Sequence, residues 1–138
     1  LKIQFLEKIA EYYNEKYNLN TFIDICHKGI STYYSIKGNY IYFSQEYVKN
    51  LYNRQDFKKR IINLKEINQA YIFCILHEIY HAIDYKFNSN RYKQDLKNLN
   101  LLEYNTNRIY HNSLNFEIKA DKFANKELKK WIRIFKKS

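Results

Sequence analysis

Residues 77–81 read His77-Glu78-Ile79-Tyr80-His81, and this HEIYH stretch decides how the rest of the chain has to be arranged. Two histidines four apart on a helix project from one face, so both imidazoles reach a single metal ion. The glutamate beside the first is placed to take a proton from a water at that ion. The pattern is short enough to arise by chance, so the rest of the chain must supply a third ligand.

Working outward, no Gly or Pro interrupts residues 65–87, and Ile67, Ala70, Tyr71, Phe73, Cys74, Ile75, Leu76, Ile79, Ala82 and Ile83 leave the segment almost no polar side. A helix apolar on nearly every side belongs in the middle of a domain. Two histidines and a glutamate would then be placed in or beside the core. Burying them without partners costs kilocalories each, a cost that a metal in a cleft relieves. The last helix is expected over residues 113–135. There Glu117, Asp121, Ala124, Leu128, Trp131 and Phe135 recur at spacings of four and three, which puts both carboxylates on the same stripe as core residues. The candidates for the third ligand are Glu117, Asp121, His111 and Asp84. Glu117 is favoured because it lies on the inward stripe of a separate helix. Asp121, one turn later, can accept a hydrogen bond from the non-coordinating nitrogen of a ligand histidine. The competing reading makes Glu117 and Asp121 ordinary acids near a helix N-terminus, Asp84 a surface or supporting acid, and Cys74 a small core residue.

On the N-terminal side, residues 2–18 carry Phe5, Ile9, Tyr12 and Tyr13 at helical spacing among charged neighbours, and residues 21–25 alternate as a short strand. Gly29 marks a turn. Residues 32–36 and 40–43 flank Lys37-Gly38-Asn39 and form the clearest hairpin signal, and the 40–43 strand is a candidate edge for holding an extended peptide. Ser44 is a plausible N-cap for a short helix, and residues 53–65 are basic and less regular. After a break at 88–90, residues 91–112 read as a short helix and an Asn-rich connection. The expectation is an α+β fold in one domain spanning 1–138: a small, mostly antiparallel sheet packed on a buried HEIYH helix, with N- and C-terminal helices.

At 138 residues the chain buries a core without needing disulfides or a structural metal, so a metal at this helix is expected to serve chemistry. A net charge of +10 keeps an anionic partner in play. No nucleic-acid-binding signature accompanies it, and a solvated lysine-rich surface is the preferred explanation. Cys26 and Cys74 read as free thiols of a reducing compartment, which with the absence of a signal-like start gives a cytoplasmic expectation. No stretch approaches the roughly 18 apolar residues of a membrane span.

His77-Glu78-x-x-His81, followed at a distance by Glu117-x-x-Ala120-Asp121-x-Phe123-Ala124, resembles the zincin metallopeptidases whose third ligand is a glutamate, and most closely the ImmA/IrrE-type family. HExxHAxD over 77–84 is similar, more weakly, to lethal-factor-like catalytic domains. Two departures stand out: Tyr80 occupies the position where many zincins have Gly, and the gap from His81 to Glu117 is long enough for 88–112 to be an insertion. The resemblance implies a zincin-like fold with Zn2+ held by His77, His81 and Glu117, Glu78 as the catalytic base, and Asp121 supporting a ligand histidine, as an aspartate does four residues after the glutamate ligand in the thermolysin-like group. It implies a zinc metalloendopeptidase, a hydrolase acting on a specific protein substrate such as a DNA-binding repressor of a phage or mobile element. Tyr104, Tyr110 and His111 are the candidate donors to an oxyanion. Two other functions compete with this one: a non-hydrolytic zincin-fold binding module of the anti-repressor type, and a basic nucleic-acid-binding domain.

Overall fold

A computed structural model gives the architecture for residues 1–105 and 115–138, with side chains described up to 98 and from 115 onward. The described elements are helix α1 (Ile3–Tyr17), strands β1 (Phe22–Cys26), β2 (Tyr33–Ser35) and β3 (Tyr40–Ser44), then helices α2 (Gln45–Leu51), α3 (Gln55–Lys58), α4 (Ile67–Phe87), α5 (Ser89–Asn105) and α6 (Asn115–Lys137). This is an α+β arrangement. Among the described residues no helix is long and apolar enough to cross a membrane.

The 21-residue helix α4 is the centre of the molecule. Its start is fixed by a capping box in which Glu66 and Gln69 satisfy each other's backbone amides. From Ala70 to Ile79 every residue is buried, because α1, the sheet, α2 and α6 cover different sides of the helix. One continuous core runs from Leu6, Ile9 and Tyr13 of α1 through Ile41 and Phe43 of β3 to Ala124, Leu128 and Trp131 of α6. Tyr13 joins the two terminal helices, donating its hydroxyl to Glu127 at 2.7 Å while accepting from the Trp131 indole N–H at 2.9 Å.

The sheet is mixed and has the order β1-β3-β2, which corrects the expectation of a mostly antiparallel one. β2 and β3 form the expected antiparallel hairpin, with Gly38 (φ 141°) and Asn39 (φ 49°) at its turn. β1, however, pairs in parallel with β3, from Phe22↔Tyr40 to Cys26↔Ser44. Asn39 supplies the physical reason. Its side-chain amide donates to the carbonyls of Leu19 and Asn20, its Oδ1 accepts from the Thr21 hydroxyl, and its backbone carbonyl accepts from Phe22 N–H. The beginnings of β1 and β3 are thereby tied together. Strand 40–43 is therefore central, not an edge, and β2, which contacts α4, is an edge strand among the described residues.

Of the remaining expectations, some are met and others corrected. Ser44 caps α2, accepting from Tyr47 N–H at 3.2 Å. Gly29 packs against Tyr42 and Ser44, where a Cβ would strike the Tyr42 hydroxyl. The break after α4 is the single residue Asn88, and α5 is a 17-residue helix rather than a short one.

Candidate metal centre

α4 and α6 bring the candidate residues together. His77, Glu78 and His81 are all buried on α4, and each offers a ligand atom within 4.8 Å of the others, so the group can hold a metal ion. The first turn of α6 adds Glu117, also buried, whose Oε1 lies 2.7 Å from His81 Nε2 and 3.5 Å from His77 Nε2. The two Nε2 atoms are 3.1 Å apart. Ligands at about 2.0–2.1 Å from a tetrahedral ion sit about 3.3–3.4 Å from one another, so these three atoms outline one face of such a shell. Nitrogen and carboxylate donors suit a divalent transition metal.

Asp121, one turn after Glu117, accepts from His77 Nδ1 at 2.8 Å. A carboxylate only accepts, so Nδ1 carries the proton and Nε2 is the nitrogen turned towards Glu117 and His81. His81 is held differently. Its ring packs on Phe116 and Tyr92, with centroids 5.2 and 5.7 Å away, and its buried Nδ1 has no hydrogen-bond partner among the described residues.

The electrostatics follow from burial. Burial disfavours a charged His77, yet the Glu117 carboxylate and the hydrogen bond to Asp121 outweigh it and push the ring up to about 10 in the metal-free protein. Glu78 is raised above its ordinary value, chiefly by burial. For Asp121 burial works against the charge, but hydrogen bonds from His77 and Arg60 hold it below the usual range. With both histidines neutral, three carboxylates (Glu78, Glu117, Asp121) and one guanidinium (Arg60) leave the cluster two negative charges, the complement of a divalent cation.

Of the other candidates, Asp84 is not a surface acid. It is buried at 1 % exposure, where it forms an ion pair with Arg91 and accepts a hydrogen bond from Asn88. Cys74 is a buried core thiol whose pKa is raised by burial. His111, Tyr110 and the side chain of Tyr104 lie outside the described residues. Sequence reasoning passed over Arg60 and Tyr92. Arginine was itself a signal here: the chain has five against nineteen lysines, and Arg60 and Arg91 hold the carboxylates of Asp121 and Asp84.

No protein-family model matches the chain, and comparison with curated proteins and with solved structures finds no match.

Proposed function

We propose that the chain is a zinc-dependent metalloendopeptidase of zincin-like fold, with His77, His81 and Glu117 as ligands and Glu78 as the base. The observation that carries the reading is the convergence of His77 Nε2, His81 Nε2 and Glu117 Oε1 within 3.5 Å of one another, with the Glu78 carboxylate beside them. A purely structural metal site would have no use for a buried base at that position. When bound, zinc supplies Lewis acidity to a scissile carbonyl and lowers the pKa of a water. Glu78 would take the proton from the attacking water and pass it to the leaving amine. Its pKa, raised by burial, brings it closer to the operating pH that general acid–base work needs. Asp121 holds His77 in the Nδ1–H tautomer throughout. An extended substrate can add to β2, an edge strand among the described residues that lies beside α4, by main-chain hydrogen bonds. The resemblance to the ImmA/IrrE-type family extends the reading to a regulatory protein, such as a repressor, as the substrate.

Metal analysis combined with a mass-spectrometric search for cleaved peptides in a proteome digest tests this reading. The expected result is one zinc per chain in both the wild type and Glu78→Gln, with cleavage in the wild type reduced by about 10²–10⁴-fold in the variant. Cleavage that survives Glu78→Gln, or a wild type that takes up no zinc, would overturn it.

A further inference from the structure

Arg60 enters the site from a segment that the metal-binding motifs do not include. It follows the four-residue α3, and its guanidinium lies 5.6 Å from the ring centroids of both Phe57 and Phe73. Its Nε donates to Asp121 Oδ2 and its Nη2 to Oδ1, each at 2.9 Å, a two-point grip on both carboxylate oxygens. The same Oδ1 accepts from His77 Nδ1, and Nη2 itself approaches Nδ1 to 3.4 Å. The loop has a second hold on α6. Asn125 of α6 donates to the Arg60 carbonyl and accepts from Ile62 N–H, both at 2.9 Å. An anchor of the loop is thus already present without the guanidinium, which leaves the guanidinium free for another task.

Building on the proposed metal site, we infer that Arg60 is a positioning residue for it: the guanidinium locks the Asp121 carboxylate in the plane that fixes the His77 ring, and so aims His77 Nε2 at the ion. Asp121 has one rotation about its Cβ–Cγ bond that would break the contact to His77, and a bidentate partner removes that freedom. Lysine presents a single point charge and cannot replace a fork gripping both oxygens. Charge alone predicts the opposite effect, because removing a cation from the neighbourhood of a divalent ion should tighten binding. In the ion pair, however, the guanidinium is offset by Asp121 at contact distance. The loss of orientation is therefore expected to decide the sign.

The test is a competition titration of Zn2+ and Co2+ against a chelator, using the full chain as wild type, Arg60→Gln, Arg60→Lys and Asn125→Ala, with the metal-free melting temperature of each. Arg60→Gln is expected to bind about 10–100-fold more weakly, the scale of a lost ligand-orienting partner. Arg60→Lys should recover only part of this. Asn125→Ala, which loosens the same loop without touching Asp121 or His77, should lose melting temperature and keep its affinity. Unchanged or tighter binding in Arg60→Gln overturns the role of Arg60 and leaves the metal reading standing. Equal affinity losses in Arg60→Gln and Asn125→Ala at equal loss of melting temperature reduce Arg60 to a loop anchor and also overturn it. A wild type that binds neither ion overturns both readings together.

Discussion

His77 is pulled in two directions at the scale of a single residue. Its Nδ1–H faces Asp121, while its Nε2 faces Glu117 and His81, so without a metal the ring gains most by carrying a second proton. With a pKa of about 10 in the folded chain against an unfolded value near 6.5, protonated His77 contributes stability that is fully present below about pH 6.5. That contribution declines as pH rises and is gone above about 10. The metal-free protein should therefore lose stability across this window, read as a falling urea midpoint with a chelator present. A metal displaces the proton from Nε2, so saturating zinc should remove most of this slope. An equal slope in His77→Gln would assign it to other groups. The residues on α4 and α6 could be found in the sequence because helical periodicity converts spacing into direction. Composition could flag Arg60 but not place it, because the residues around it have no period: Phe57 and Phe73 flank its guanidinium and Asn125 holds its backbone carbonyl, all set by tertiary packing.

Between elements, the distance from α4 to α6 sets the distance from the two histidines to Glu117. Ala120 and Ala124 are fully buried on the face of α6 that also carries Glu117, and their small side chains let the helices approach closely. Replacing Ala120 with Leu should cost about 1–3 kcal/mol through overpacking. Because Ala120 lies one turn from Glu117, the same change should weaken metal binding severalfold by moving the carboxylate away from His81. Urea unfolding and a metal titration read the two effects separately, and a destabilised variant with undiminished affinity would show that helix spacing does not set the site. Helices α1, α2, α4 and α6 and the hairpin follow from local signals, namely apolar period, Ser44 as a cap and Gly38-Asn39 as a turn. The position of β1 depends on Asn39 reaching Leu19, Asn20 and Thr21, contacts between segments about 20 residues apart that no local pattern encodes. That long-range tie made the sheet mixed and put β3 at its centre.

For the whole molecule, the charge separates into two populations. The outer face of α6 carries Lys119, Lys122, Lys126, Lys129, Arg133 and Lys136 at spacings of three and four, a basic stripe that contributes much of the net +10. The buried cluster between α4 and α6 is instead negative by two charges when its histidines are neutral. Exposed charges are screened within about 10 Å at 0.1 M salt, whereas a buried cluster is screened far less, so salt should act on the stripe and hardly on the site. A cation bound there stabilises only the folded chain, because the unfolded chain separates His81 from Glu117 by 36 positions. At free zinc one hundred times the dissociation constant the gain is about 2.7 kcal/mol, which for a domain of this size is roughly a 10 °C rise in melting temperature. The rise should grow with the logarithm of zinc concentration, persist in 0.5 M salt, and vanish in Glu117→Ala. Scanning calorimetry at stepped zinc concentrations, with and without salt, separates this from weak surface binding. A zinc-dependent rise that disappears in salt, or that survives Glu117→Ala, would place the ion on the lysine-rich surface's few acids and not between α4 and α6.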